Sequence, residues 1–113
     1  MSTQSETVEF ILEKLGDSRT FTTRAMFGEY ALYAKRKVVA LICDDQLYVK
    51  IVPASAKLEE VCEKDSPYPG GKLHYVVAEE QVAQIAEIPE ILLAISKSLP
   101  AVKKKKSKRA KTN

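Results

Sequence analysis

Three apolar segments between Thr22 and Val52, joined by very short polar connections, constrain the fold of this chain more than any other feature. In residues 30–34 and 47–51 apolar positions alternate along the chain, and the run Val38–Cys43 is apolar throughout. Alternation predicts strands with one buried face, and a continuous run suits a central strand. The two polar connections are Arg36-Lys37 and Asp44-Asp45. Connections this short are typical of hairpins, so we expect an antiparallel meander.

A helix is predicted before the meander, over residues 4–15. Its apolar positions recur at helical spacing and form one stripe: Val8, Ile11, Leu12 and Leu15. Thr3 and Glu6 stand three residues apart, as in a capping box at a helix N-terminus. Gly16 occupies the position of a left-handed C-terminal cap.

The second half of the chain predicts further helices and one more strand. Leu58, Val61 and Cys62 indicate a short amphipathic helix, and residues 66–71 are typical of a loop. A last strand is predicted where apolar side chains alternate at Leu73, Tyr75 and Val77. Residues 79–87 lead into a final helix that carries Pro89 in its first turn and ends at Pro100. The order α-β-β-β(-β)-α-β-α predicts an α+β fold of two layers, with helices on one face of an antiparallel sheet.

The charge of the chain is divided between a folded body, residues 1–100, and a tail, residues 101–113. The tail carries seven of the 18 basic residues and no acidic residue, which leaves 11 basic and 15 acidic residues in the body. Net attraction therefore gives the body no reason to bind nucleic acid. Seven cations are concentrated in the tail: Lys103, Lys104, Lys105, Lys106, Lys108, Arg109 and Lys111.

We expect a cytoplasmic protein. Cys43 and Cys62 are too few for a disulfide scaffold, and the acidic residues near the N-terminus argue against a secretion signal. The sequence has no apolar run approaching the roughly 20 residues that cross a bilayer.

Residues 24–33 read Arg-Ala-Met-Phe-Gly-Glu-Tyr-Ala-Leu-Tyr and resemble the signature of the TfoX N-terminal domain family. That signature is Arg-x-Met-Phe-Gly, two residues, then Leu-Tyr, and Gly28 within it suggests a turn or a bulge. Further similar segments follow in family order: residues 40–45, the strand Leu47–Lys50, Tyr75, and Pro89-Glu90 with Leu92-Leu93. The resemblance covers about residues 7 to 99.

The resemblance implies a two-layer domain akin to secretion chaperones and a link to regulators of competence and DNA-uptake genes. It implies no catalytic residue. The sequence departs from the family pattern at Ala31, where members often have glycine. It also carries the lysine-rich tail where full-length competence regulators continue into a second domain.

Four residues form the candidate surface for a partner or a ligand: Arg24, Tyr30, Tyr33 and Tyr75. Alternation places Arg24 and Met26 on one face of the first strand, and Arg24 with Tyr33 would line a pocket or a partner surface. The competing interpretation is that Met26, Phe27 and Leu32 are core residues and that Arg24 is an ordinary surface or ion-paired residue.

The sequence predicts neither catalysis nor a bound metal or cofactor. Cys43, Cys62 and His74 are far apart, unlike the closely spaced ligands of a zinc site. Gly70-Gly71 lacks the Lys-Ser/Thr pair of a phosphate-binding loop, and Gly-x-Ser-x-Gly does not occur. We therefore expect a protein that is not an enzyme.

Three functional hypotheses remain open. The first is a regulatory module that acts through contacts with a protein not yet identified, with a disordered tail that binds nucleic acid non-specifically or only aids solubility. The second is a small-molecule-binding domain or weak enzyme that uses the region of Arg24 and Tyr33. The third is a chaperone-like scaffold for one partner. An uncovered sheet face would also allow two copies to pair as a homodimer.

Overall fold

The computed structural model describes residues 3–26 and 29–99. Within these residues three α-helices, six strands and one 3₁₀ helix follow one another. Their bounds in chain order are α1 Ser5–Leu15, β1 Phe21–Met26, β2 Glu29–Ala34, β3 Lys37–Cys43, β4 Gln46–Lys50, the 3₁₀ helix Pro53–Glu60, β5 Glu63–Asp65, β6 His74–Val77, α2 Glu79–Gln84 and α3 Ile88–Ser98. The predicted α+β class and its approximate element order are confirmed. The likeness to secretion chaperones stays a prediction.

The six strands form one antiparallel sheet in the order β1-β2-β3-β4-β6-β5. The predicted meander makes up the first four strands, and the apolar run in β3 lies between β2 and β4 as a central strand should. β6 pairs with β4, and β5 pairs with the other side of β6. β1 and β5 are therefore the two edges of the sheet.

Two-residue turns with left-handed backbone connect β2 to β3 and β3 to β4. The φ angles are 52° at Lys35 and 73° at Arg36, and 51° at Asp44 and 61° at Asp45. Two consecutive positive φ angles mark the type I′ turn, whose twist matches that of a hairpin. Both predicted hairpins are confirmed. The first turn lies one residue earlier than expected, because Lys37 already pairs with Ala34.

The hydrophobic core lies between the helices and one face of the sheet, which we call the helix face. Helix residues from α1, the 3₁₀ helix, α2 and α3 contact one continuous cluster of strand side chains. The strand residues of this core are Phe21, Leu32, Ala34, Val39, Ala40, Ile42, Leu47, Val49, Tyr75 and Val77. The helices thus cover a single face, as the sequence predicts.

The N-terminus of α1 is stabilised by a distant carboxylate rather than by the predicted capping box. The N-cap residue is Gln4, and it has no side-chain cap. Asp45 Oδ1 accepts hydrogen bonds from the Gln4 N–H at 2.9 Å and from the Thr7 hydroxyl at 3.0 Å. The Thr3 hydroxyl instead contacts the Glu29 carboxylate and the carbonyl of Ile42. The Thr3–Glu6 box was wrong because these tertiary contacts occupy Thr3.

Other local predictions are confirmed with small changes of boundary. Gly16 ends α1 with φ 93°, and its N–H donates to the Leu12 carbonyl at 3.0 Å. α3 carries Pro89 in its first turn and buries Ile91, Leu92 and Ile95. The last strand begins at His74, where pairing with Lys50 and Asp65 begins, and Leu73 before it is 57% exposed. The predicted helix around Leu58 is a 3₁₀ helix, and Val61 lies beyond its end. Gly28 lies outside the described residues.

The contacts of Asp45 predict that Asp44 and Asp45, the two residues of one turn, contribute differently to the stability of the fold. Asp45→Gly removes the carboxylate at the start of α1, and we expect its free energy of unfolding to be about 1–2 kcal/mol lower than that of Asp44→Gly. Asp44→Gly changes a residue with the same left-handed backbone, and it should change stability by less than about 0.5 kcal/mol or raise it. Urea denaturation measures both. Equal losses for the two variants would contradict the role of Asp45.

Candidate functional site

The sheet face opposite the helices, which we call the outer face, is the candidate functional site. Directly paired residues of antiparallel strands lie on the same face. One continuous row of such pairs crosses all six strands on the outer face. We call it the central row, and in sheet order it consists of Arg24, Ala31, Leu41, Tyr48, Val76 and Glu63.

The central row is charged at its ends and apolar in its middle. Arg24 on edge strand β1 and Glu63 on edge strand β5 are both exposed. Leu41 and Val76 are half-buried, whereas Tyr48 is 6% exposed. Tyr48 is nevertheless not part of the hydrophobic core on the helix face. Burial, together with the negative charge of Asp65 nearby, raises the pKa of Tyr48, so its phenol stays protonated at neutral pH.

A second row lies beside the central row, two residues further along the strands. Thr22 pairs with Tyr33 and Tyr33 with Val38 on one half of the sheet. Lys50 pairs with His74 and His74 with Asp65 on the other half. The β5 edge of the outer face therefore presents two carboxylates, those of Glu63 and Asp65.

The opposite edge presents two guanidinium groups around a shallow, open cavity. This cavity has a volume of about 270 Å³ and is lined by Thr22, Thr23, Arg24, Tyr33 and Arg36. Its lining combines positive charge with the Tyr33 phenol and the Thr22 hydroxyl and contains no acidic side chain. Such a set of donors suits a carboxylate or a phosphate. Sequence reasoning missed Arg36, because it lies in a turn.

The structure brings together only two of the four residues of the predicted surface. Arg24 and Tyr33 line the same cavity, as the sequence suggested. Tyr30 packs against the core, and Tyr75 is a buried core residue of the helix face. The expectation that Met26 is core was wrong, since it is 39% exposed. Leu32 is core as expected, and Phe27 lies outside the described residues.

Tyr75 belongs to a cluster of polar contacts at the β5 edge of the helix face. Its hydroxyl donates to Glu59 Oε1 at 2.9 Å, and Lys64 Nζ lies 2.9 Å from the same carboxylate. The hydrogen bonds from Lys64 and Tyr75 lower the pKa of Glu59. Burial and the hydrogen bond to Glu59 raise the pKa of Tyr75. This cluster fastens the 3₁₀ helix to β5 and β6.

The thiols and the imidazole do not form a common site in the described part of the chain. Burial, with the negative charges of Glu29 and Asp44, raises the pKa of Cys43 to about 11. Burial also raises the pKa of Cys62. Both thiols are thus protonated at neutral pH, the form that is a poor nucleophile. Within residues 3–26 and 29–99, no three His, Cys, Asp or Glu side chains are grouped so as to hold a metal ion.

A lysine fixes the point where the described chain ends. Lys37 Nζ donates to the carbonyls of Ser96 at 2.9 Å and of Leu99 at 3.0 Å, at the C-terminal end of α3. Leu99 also lines a cavity of about 280 Å³ that includes Lys50, Lys72 and His74. The tail, with the seven cations predicted to meet nucleic acid, lies outside the described residues. The last described residue therefore stands beside basic side chains of the body.

The helices between residues 3 and 99 that the structure describes are all too short or too polar to cross a membrane.

These features define a two-layer α+β domain in which one face of a six-stranded sheet packs against helices and the other carries a row with oppositely charged ends. The family model described as the TfoX N-terminal domain matches residues 12–90, and the chain belongs to this family. The resemblance inferred from residues 24–33 is thereby confirmed. A relative from Spirochaeta aurantia, described as an uncharacterized 12.7 kDa protein in the trpE 5′ region, is 34% identical over 108 residues. The alignment covers 96% of this chain and 93% of the relative.

Proposed function

We propose that this chain is a regulatory binding module rather than an enzyme, and that it acts by docking the outer face of its sheet onto a protein. The observation that carries this proposal is the central row, because its half-buried Leu41 and Val76 lie between exposed charges. An apolar centre with a charged rim is the usual anatomy of a protein interface.

Membership of the TfoX N-terminal domain family extends the proposal to a biological context. We propose that the contacts made by the outer face contribute to the regulation of competence or DNA-uptake genes. The tail adds affinity for nucleic acid to this role. Its seven cations and lack of aromatic residues suit contacts to phosphates without readout of sequence. Lys50 and Lys72, beside Leu99, place further positive charge near its start.

A substitution at the centre of the outer face tests protein docking. Val76→Lys should abolish capture of the partner from the native cytoplasm, because an ammonium then has to be buried in an apolar interface. Val61→Lys is the matched control, since Val61 is 54% exposed and its carbonyl contacts Gln81 of α2. The captured proteins are identified by mass spectrometry, and transcripts of DNA-uptake genes are compared in cells carrying each variant. Capture that survives Val76→Lys would count against docking through this face.

The tail is tested by charge removal in the full-length chain. Replacing its seven Lys and Arg residues with Gln should abolish retention of a DNA duplex at low salt, whereas a scrambled tail of the same composition should retain it. If every cation meets a phosphate, the wild-type affinity falls with salt at a logarithmic slope of about −6. Equal retention by the Gln variant and the wild type would refute a role of the tail.

A second candidate function is favoured by the cavity that Arg24 shares with Tyr33 and Arg36. This alternative is a site for a small anionic ligand. A screen of phosphate-bearing and carboxylate metabolites should then raise the melting temperature of the wild type by a few degrees, and Arg24→Gln should remove the effect. Arg19→Gln, at another exposed arginine, should preserve it. The absence of a shift with every compound argues against this alternative.

A further inference from the structure

We propose that the partner of the outer face is a second copy of this chain, packed face to face about a twofold axis that runs parallel to the strands between β3 and β4. The inference rests on the proposed docking function of this face and names its partner. In this arrangement each strand of one copy lies over its counterpart on the opposite half of the other copy. β1 lies over β5, β2 over β6, and β3 over β4.

The central row is complementary to itself under this rotation. The axis passes between Leu41 and Tyr48, the third and fourth of its six residues. The rotation therefore places Leu41 of one copy over Tyr48 of the second copy, and Ala31 over Val76. At the ends it places Arg24 over Glu63, so that opposite charges meet. Because a twofold interface uses each contact twice, the pair has two such ion pairs and two copies of each apolar contact.

The second row obeys the same symmetry. Thr22 at the β1 edge is placed over Asp65 of the second copy, and Tyr33 over His74. The cavity that contains Arg24, Tyr33 and Arg36 would thus receive the carboxylates of Glu63 and Asp65 from the second copy. The groups around this cavity are suited to carboxylates. The arginine-lined cavity of one copy thus binds the acidic β5 edge of the other copy.

The geometry of packed sheets permits these contacts. Two sheets pack about 10 Å apart, a distance that an arginine and a glutamate side chain span together at the two edges. Their strands cross at about −30° because of twist, so alignment is closest near the axis, where Leu41 and Tyr48 lie. Lys50, the cation near the axis, occupies the end of β4, from which its ammonium group reaches solvent.

The area available indicates a dimer of modest affinity. Six strands of about five residues give a face of roughly 500 Å² in projection for each copy. The two faces together are close to the lower limit of specific interfaces. We therefore expect a concentration-dependent dimer with a dissociation constant in the micromolar range, weakened by salt because its rim is charged.

Charge reversal in the full-length chain tests the arrangement. Sedimentation velocity between about 1 and about 500 μM should show dimerisation of the wild type. Arg24→Glu and Glu63→Arg each place like charges at both ends of the interface and should weaken the dimer at least about tenfold. The double variant exchanges the two charges and should restore the dimer to within about threefold of the wild type. Circular dichroism verifies that all variants are folded.

Glu9→Arg is the matched control, because Glu9 is exposed on α1 in the helix layer and its substitution changes the net charge as Glu63→Arg does. It should leave the dimer unchanged. A wild type that stays monomeric throughout, or a double variant as weak as the single variants, overturns the second copy as partner. If the wild type then captures a different protein and Val76→Lys does not, the outer face is still a docking surface, but its partner is not a second copy.

Discussion

The two left-handed turns, Lys35-Arg36 and Asp44-Asp45, are the constraint on which the rest of the structure depends. They fix the register of β2, β3 and β4, and a slip of one residue would move every side chain of a strand to the opposite face. In the observed register Ile42 and Leu47 face the helices, while Leu41 and Tyr48 lie on the outer face. None of the four turn residues is glycine or asparagine, so each left-handed residue costs about 1 kcal/mol. The contacts of Asp45 with Gln4 and Thr7 help to offset that cost and join the second turn to α1.

Periodicity predicted most of the architecture, because the meander and both long helices bury regular stripes of apolar residues. It failed where three-dimensional contacts outweigh local signals. β5 consists of three exposed charged residues, Glu63–Asp65, and owes its existence to pairing with β6. Thr3 is a residue type that often caps helices, but its hydroxyl donates instead to the carboxylate of Glu29, which is distant in sequence. Of the site, the sequence yielded Arg24 and Tyr33. The sequence does not predict that Arg36 and Glu63 belong to this site. Arg36 lies in a turn and Glu63 in a short polar strand, and neither pattern indicates on which face of the sheet the side chain lies.

Positive and negative charges are separated within the folded body as well as between the body and the tail. An acidic body and a basic tail are visible in the composition. Within the body, the fold separates the signs again by placing Arg24 and Arg36 at one edge of the outer face and Glu63 and Asp65 at the other. The sheet accomplishes this because its last strand in space, β5, comes from a segment with no apolar residue. A surface with such a gradient favours one orientation of whatever binds it and disfavours the reverse.

The hydrogen bonds from Lys37 to the carbonyls of Ser96 and Leu99 have a consequence for any assembly of this protein. They hold Leu99, the last described residue, at the end of the sheet where β3 begins. A twofold axis parallel to the strands preserves position along them, so in the proposed pair the Leu99 residues of both copies lie at the same end of the sheets. One stretch of nucleic acid would then meet both tails, and once the first is bound the second acts at a high effective concentration. In the proposed pair, the weak and non-specific binding proposed for a single tail would become bivalent, so the affinity for DNA would report whether the protein is dimeric.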